Sequence, residues 1–129
     1  MDLVLNSPAL YEASSHESFF VGWPTKPEYS IVKNHFAAAE LIFAIADGEV
    51  VGLITALTDK VLFAFIPLLE VRSDFQNQGI GSALLSAMES HIGSIYGIDL
   101  VCDPELVSFY RSNGFIEVSG MVKRDRQAL

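Results

Sequence analysis

The 129-residue chain can bury one hydrophobic core, and its half-apolar composition excludes an intrinsically disordered protein. Its formal charge of −8 repels polyphosphate backbones, which argues against nucleic-acid binding; the acidic surface serves either solubility or attraction of cationic amines. No apolar run reaches the roughly 18 residues that a membrane span needs, and the first residues lack the basic cluster of a secretory signal. Cys102 is the only cysteine, so we expect no internal disulfide and a cytoplasmic protein.

The first third of the chain predicts two helices joined by a proline-rich loop. Ser7 followed by Pro8 is typical of a helix N-cap and first helical position, so a first helix is predicted to begin there. The segment GWPTKPEY, residues 22–29, contains two prolines and is predicted to be a loop. A second helix is predicted over residues 27–39.

The middle of the chain predicts three antiparallel strands, at residues 41–46, 50–58 and 61–71. Asp47-Gly48 is a typical two-residue hairpin turn between the first two strands, and Asp59-Lys60 turns the chain into the third. Nearly every strand position is apolar, so both faces of the sheet are predicted to be covered by helices. Pro67 cannot donate to a β-ladder, so we expect a bulge or an open edge near it.

From Gly79 the apolar residues recur at helical spacing, beginning with Ile80, Leu84 and Met88. The remaining predicted elements are a short buried strand at 98–102, a helix at 104–113 that ends at Gly114, and closing strands at 115–118 and 121–123. This order predicts an α+β fold in which a mixed sheet lies between helices, with residues 1–129 forming one domain.

The sequence QNQGIGS, residues 76–82, places Gly79 and Gly81 where the helix begins. The first N–H groups of a helix have no internal partners, and the helix dipole makes this end partially positive. Without Cβ atoms, the successive amides can approach a phosphate or pyrophosphate closely. A tight strand-to-helix turn explains the same glycines, and neither a Walker loop nor a dinucleotide fingerprint is present.

The stretches LLEVRSDFQNQGIGSALL and CDPELVSFYRSNGF together resemble the GCN5-related N-acetyltransferase (GNAT) superfamily, especially its small bacterial-type members. The matching residues are Gln76, Gly79 and Gly81 in a Q/R-x-x-G-x-G/A loop, and Phe109, Tyr110, Gly114 and Phe115 in an FYxxxGF motif. The order of elements agrees over nearly the entire chain. The resemblance implies a three-layer α/β/α fold around a mixed, mostly antiparallel sheet.

The resemblance also implies that main-chain groups hold acetyl-CoA. Loop amides would bind the pyrophosphate, while the exposed strand before the loop would pair with the pantetheine arm and polarise the acetyl carbonyl. The implied cofactor-binding residues are Gln76, Asn77, Gln78, Gly79, Ile80, Gly81 and Ser82 in the loop and Leu69, Glu70 and Val71 in the strand. Asp103 stands where many relatives have an asparagine that contacts the cofactor arm, and a carboxylate cannot donate that hydrogen bond. The 3′-phosphate would meet Arg72 or Arg111, unless these are ordinary solvated charges.

Tyr110 matches the general acid of the family, which protonates the departing thiolate; the alternative is a core aromatic residue. A phenol with a pKa near 10 stays protonated at neutral pH and can donate. The general base is left open among Glu70, Asp59, Glu28, His35 and a water chain. Strand alternation places the Glu70 side chain opposite those of Leu69 and Val71.

The acceptor amine is expected at the loop between the first two helices, near Phe20, Trp23 and Tyr29, although Trp23 can equally be core. Phe63 and Phe65 can line the same cleft or belong to the core. Cys102, in a predicted buried strand, is expected to be structural. No metal is expected, because the three histidines, His16, His35 and His91, lack ligand spacing.

We therefore expect an acyl-CoA-dependent N-acyltransferase that moves an acetyl group directly, in a ternary complex, to the primary amine of a small molecule or peptide. The sequence leaves open a non-catalytic acyl-CoA-binding module and a small interaction domain with no ligand. Neither a nucleic acid nor a membrane is an expected partner. The last predicted strand leaves a homodimer open.

Overall fold

The computed structural model describes all 129 residues and contains a five-stranded sheet with helices on both faces. The strands are β1 (Asp2–Leu5), β2 (Glu40–Ala46), β3 (Glu49–Thr58), β4 (Phe63–Val71) and β5 (Gly97–Asp99). The α-helices are α1 (Ala13–His16), α2 (Tyr29–Ala38), α3 (Ile80–Ile92) and α4 (Val107–Ser112). The strands follow one another in chain order, antiparallel except for the parallel pair β4–β5, which confirms the predicted mixed sheet.

Each face of the sheet is covered by its own apolar layer. On one face α3 packs Leu84 and Met88 against β2, β3 and β4, and both side chains are fully buried. On the other face Phe36 of α2 packs with Tyr11 and Phe43. Burying such side chains stabilises a fold by about 1.5–3 kcal/mol each, so the two layers fix the sheet between them. The prediction that helices cover both faces is confirmed.

Two predicted turns join the central strands. Asp47 and Gly48 have φ values of 52° and 77°, the left-handed pair that a tight hairpin of this kind requires. Asp59 Oδ1 accepts hydrogen bonds from the N–H groups of Val61, Leu62 and Phe63. Because this carboxylate holds those N–H groups, β4 begins at Phe63, two residues later than predicted.

The predicted first helix is largely replaced by other structure. Residues Pro8–Leu10 form a 3-10 turn, and α1 has only four residues. The Ser7 hydroxyl does not cap the turn but donates to the Leu5 carbonyl at 3.1 Å. The chain before it, which carried no strand prediction, forms β1 and pairs with β2. The second helix lies within two residues of its predicted bounds.

The end of the chain departs most from the predictions. The predicted helix at 104–113 is a 3-10 turn followed by α4, and Gly114 follows with φ of +93°, as predicted. The predicted closing strands at 115–118 and 121–123 are wrong, because the sheet ends at β5 and no neighbouring strand pairs with them. Apolar side chains of this segment, such as Ile116 and Met121, are 83% and 100% exposed.

The predicted strand at 98–102 is shorter than expected. β5 ends at Asp99, so Cys102 lies beyond the sheet and is exposed. The prediction that Cys102 is buried is therefore wrong. Among the helices, the longest is α3 with 13 residues, and none has the length and apolar character to cross a bilayer.

Candidate functional site

The outer edge of β4 is open along its second half. β5 pairs with β4 only at residues 63–65, whereas β3 pairs with β4 as far as Val71. The β3–β4 register shifts between Thr55 and Leu57, opposite Pro67, which confirms the predicted bulge. Pairing with β5 has already ended at Phe65, so Pro67 lies at the start of the open stretch. The main chain of Leu69, Glu70 and Val71 lies along this stretch.

The loop that follows β4 carries a row of unpaired amides. No backbone N–H from Gln76 to Ser82 donates a hydrogen bond within the protein, and the first helical bond runs from the Ala83 N–H to the Gly79 oxygen at 3.0 Å. Gly79 is the N-cap of α3, with φ of +82° and no atom within 4 Å of the place a Cβ would occupy. These amides are thus available to an anion at the positive end of a 13-residue helix.

The second glycine of the loop has a different role. A Cβ on Gly81 would lie 3.1 Å from Cζ of Phe109, so the missing side chain makes room for an aromatic ring of α4. Gln76 holds the loop from its other end, since its side-chain amide donates to the Val71 carbonyl at 3.1 Å. Asn77 contributes a further left-handed residue, with φ of 61°. The loop is therefore held against both β4 and α4.

Tyr110 lies on α4, buried in the same apolar layer as α3. Its ring packs edge-on against Phe109 and Phe115, with centroids 5.0 and 5.8 Å away. Burial, with a smaller contribution from Cys102, raises the pKa of Tyr110 to about 12, so the phenol is protonated at neutral pH. Its hydroxyl makes no hydrogen bond within the protein and still reaches solvent. Asp103 precedes this helix, exposed, as the N-cap of the 3-10 turn.

Glu70 projects from β4 toward the opposite face, as strand alternation predicted. Its Oε1 accepts a hydrogen bond from the Phe20 N–H at 2.9 Å, while Oε2 is buried with no partner. Burial raises the pKa of this carboxyl, although the Phe20 hydrogen bond and the charge of Lys26 oppose the rise. Glu70 and Tyr110 therefore lie on opposite faces of the sheet, with the open edge of β4 between these layers.

A cleft of about 420 Å³ opens beside this edge, on the face that carries Glu70. It is lined by Phe20, Trp23 and Pro27 from the α1–α2 loop, Ile31, Val32 and His35 from α2, Phe65, Pro67 and Leu68 from β4, and Val101, Arg124 and Leu129. Two of the three predicted acceptor residues, Phe20 and Trp23, thus lie together in the cleft wall, and Phe65 joins them. Tyr29 does not line the cleft: its ring stacks on Tyr11, and its hydroxyl donates to the Tyr11 carbonyl.

The other candidate residues lie elsewhere or are already paired. Both arginines considered for a 3′-phosphate bind carboxylates: Arg72 holds Asp74 through two 2.8 Å hydrogen bonds and also binds Glu49, and Arg111 lies 3.2 Å from Glu117. Asp59 caps the β3–β4 turn, and Phe63 lines a separate shallow cleft with it. No group of three or more His, Cys, Asp or Glu side chains is arranged to hold a metal ion.

Sequence reasoning missed some of the cleft wall. His35, considered from the sequence only as a candidate base, lines the cleft; its Nε2 is bound to the buried Thr55 hydroxyl at 2.9 Å, and burial lowers the pKa of its ring. Val101 and Arg124 reach the cleft from segments that follow β5 and α4. No spacing in the sequence relates Arg124 to the α1–α2 loop, because only the folded chain brings the two together.

Several known proteins are similar to this chain in sequence. The family model of the acetyltransferase (GNAT) family matches residues 8–115. The uncharacterized N-acetyltransferase ycf52 of Gracilaria tenuistipitata var. liui is 30% identical over 102 residues, which cover 74% of this chain and 56% of that protein. Its counterpart in Pyropia yezoensis is 30% identical over 109 residues, 80% of this chain and 63% of that protein. The chain thus spans less than two thirds of the length of these relatives.

Solved structures agree with the sequence matches. A candidate acetyltransferase from Deinococcus radiodurans R1 superposes with a TM-score of 0.84 at 30% identity, over 98% of this chain and 90% of its own. An aminoglycoside acetyltransferase from an uncultured soil metagenomic sample shares the fold, with a TM-score of 0.70 at 17% identity over 96% and 93% of the two chains. The match of the family model over most of the chain, together with these likenesses, shows that the chain belongs to the acetyltransferase (GNAT) family.

Proposed function

We propose that this protein is an N-acetyltransferase that transfers an acetyl group from acetyl-CoA directly to an amine within a ternary complex. The observation that carries the proposal is the row of unpaired amides from Gln76 to Ser82, which directly follows the open edge of β4. Membership of the GNAT family supports the same reaction.

The two backbone features fit the two parts of the coenzyme. A pyrophosphate needs closely spaced N–H donors and positive potential, which the start of α3 supplies, and the open space at Gly79 lets it approach the main chain. An extended pantetheine arm carries amide groups, which can pair with the main chain of Leu69 to Val71 as an added strand would, except at the Val71 carbonyl that already accepts from Gln76. An N–H on this edge would also polarise the acetyl carbonyl.

Glu70 is the residue we assign as general base. An amine attacks only after losing a proton, and Oε2 of Glu70 is a buried acceptor with no hydrogen-bond partner. Burial raises the pKa of Glu70 toward neutral pH, and a general base is most effective when its pKa lies near the working pH. The hydrogen bond from the Phe20 N–H holds the other oxygen, so the carboxyl group is oriented before an acceptor binds.

Tyr110 is the residue we assign as general acid. Its high pKa keeps the proton on the phenol, and the free hydroxyl can donate it to the thiolate sulfur. Bound acetyl-CoA supplies the acetyl group as a thioester, so the transfer breaks a C–S bond and forms a C–N bond. The ammonium gives one proton to Glu70 before it attacks, and the nitrogen of the tetrahedral intermediate gives a second proton to solvent. Tyr110 gives its proton to sulfur and regains one from solvent, and Glu70 releases its proton to solvent.

The test is to incubate the protein with acetyl-CoA and a panel of amines while free thiol is detected. Catalysis predicts thiol release that depends on the amine and falls in Tyr110→Phe. An acyl-CoA-binding module would bind the coenzyme, as measured by calorimetry, yet release no thiol. A domain with no ligand would gain no thermal stability from CoA at all, and that result would remove the proposal together with the coenzyme site.

A further inference from the structure

We propose that the cleft selects an apolar amine that also carries a carboxylate, of which an aromatic or branched aliphatic amino acid is the simplest example. The inference rests on the proposed acetyltransferase function and names its class of acceptor. Two observations carry it: the wall of the cleft is mainly apolar, and Arg124 is its one charged side chain at neutral pH and forms no ion pair, not even with the terminal carboxylate of Leu129, which also lines the cleft.

The apolar wall is large and faces open space. Trp23, Ile31 and Phe65 each line the cleft and retain 39–40% exposure, although such side chains gain free energy when they are removed from water. Phe20 supports the wall, because its ring contacts Trp23 edge-on with centroids 5.1 Å apart. An acceptor with an aromatic or branched aliphatic body would cover this surface, and the volume of about 420 Å³ falls within the usual range for small-molecule sites.

The charge of the cleft points to an anionic group on the acceptor. Arg124 forms no ion pair, whereas Arg72 and Arg111 each hold a carboxylate, in a protein whose acidic side chains outnumber its basic ones by 16 to 8. His35 adds no second charge at neutral pH, because burial lowers its pKa. An unpaired guanidinium in an apolar cleft is suited to bind a carboxylate through paired hydrogen bonds.

The same wall disfavours a polycationic acceptor. A substrate with several ammonium groups needs several carboxylates around it, and here it would meet Arg124, apolar side chains and only the terminal carboxylate of Leu129. Glu70 is hydrogen-bonded to Phe20, which lines the cleft, but Glu70 itself is not a lining residue. An apolar amine with one carboxylate therefore matches the cleft: its body would cover the apolar wall and its carboxylate would bind Arg124.

The experiment compares acceptors that differ only in the carboxylate. Thiol release from acetyl-CoA is measured with L-phenylalanine and phenethylamine, and with L-leucine and 3-methylbutylamine. We expect kcat/KM for each amino acid to exceed that of its decarboxylated partner by roughly tenfold or more, and Arg124→Gln to remove this preference. Arg124→Lys, which keeps the charge, should retain part of it. Arg126→Gln, at a neighbouring arginine that does not line the cleft, should retain all of it.

Two results would overturn the inference while the proposed function stands: faster acetylation of the amines without a carboxylate, or an unchanged preference in Arg124→Gln. If no amine releases thiol, the proposed function fails. Ligand binding to the cleft is then measured by thermal unfolding. L-phenylalanine must raise the Tm of the wild-type protein more than phenethylamine does, and this difference must be absent in Arg124→Gln. Equal shifts from the two compounds would overturn the inference as well.

Discussion

The backbone N–H of Phe20 donates a 2.9 Å hydrogen bond to Oε1 of Glu70, so a residue of the α1–α2 loop fixes a carboxyl group on β4. The other oxygen, Oε2, is buried and unpaired. The hydrogen bond to Oε1 therefore fixes the orientation of the carboxyl group, while Oε2 has no partner in the protein. The loop that lines the cleft therefore also orients the carboxyl group that we propose as the base.

Replacing Glu70 by glutamine should lower kcat by about 10²- to 10⁴-fold, because an amide cannot take the proton of the amine. Since burial raises the pKa of Glu70, the wild-type rate should rise with pH through that raised pKa as the carboxylate forms. The rise should be absent in Glu70→Gln when kcat/KM for the acceptor is followed from about pH 5 to 9. Glu28→Gln, at an exposed carboxylate, is the control and should keep the wild-type profile. A Glu70→Gln enzyme with the wild-type profile would exclude this residue as the base.

Tyr110→Phe should keep the fold and lose activity. The Tyr110 hydroxyl makes no hydrogen bond within the protein, so phenylalanine preserves the packing against Phe109 and Phe115, and we expect the free energy of unfolding to change by less than about 0.5 kcal/mol. Thiol release should fall by about 10²-fold or more, because the proton donor is missing. Tyr96→Phe, at an 81% exposed side chain, should release thiol at the wild-type rate. Equal rates for the two variants would contradict the assignment of the acid.

Gly79→Ala should weaken both stability and CoA binding. A left-handed residue with a Cβ costs about 1–2 kcal/mol, and Gly79 has φ of +82° at the start of the amide row. Gly93→Ala is the matched control, because Gly93 also has a positive φ, +83°, and open space around it, but lies at the other end of α3. Both variants should unfold at lower urea concentration, while calorimetry should find weaker CoA binding in Gly79→Ala alone. Wild-type affinity in Gly79→Ala would argue against an anion at this turn.

The protein should lose stability in mild acid through His35. Burial lowers the pKa of the His35 ring below its usual 6.5, so below that pH the unfolded chain binds a proton that the folded protein resists. The free energy of unfolding should therefore fall as the pH drops below about 6.5. His35→Gln, which can keep a hydrogen bond to Thr55, should remove part of that fall, by less than about 1 kcal/mol because water screens this half-buried site. Denaturation curves at pH 5 and 8 test this, and parallel pH dependence in the two proteins would contradict it.

The features that could be predicted from the sequence are those set by local backbone geometry. Asp47-Gly48 dictates a left-handed turn on its own, Gly79 begins a helix for the same reason, and Pro67 interrupts a ladder because it lacks an N–H. The periodicity that starts at Ile80 likewise needs no distant partner to be recognised. Such signals predicted the central elements of the fold and the loop that we propose as the coenzyme site.

The features that could not be predicted depend on distant partners. Residues 115–123 are rich in apolar side chains, as strands are, yet a strand forms only where a neighbour offers a free edge in register. Cys102 was placed wrongly for the same reason, since β5 stops at the point where pairing with β4 ends. The contact between Glu70 and Phe20 spans fifty positions of the chain, and no spacing rule anticipates it.

The ring of Phe109 packs against Gly81. A Cβ on residue 81 would lie 3.1 Å from Cζ of Phe109, which is closer than ordinary van der Waals contact. Phe109 directly precedes Tyr110, so this contact connects the turn proposed to bind the diphosphate with the proposed proton donor. Substitutions at the two positions should consequently show epistasis: alanine at 81 would be tolerated with leucine at 109 and harmful with phenylalanine there. In related sequences, residues 81 and 109 would therefore have to change together. This coupling restricts how far the loop at Gly81 can change without displacing Tyr110.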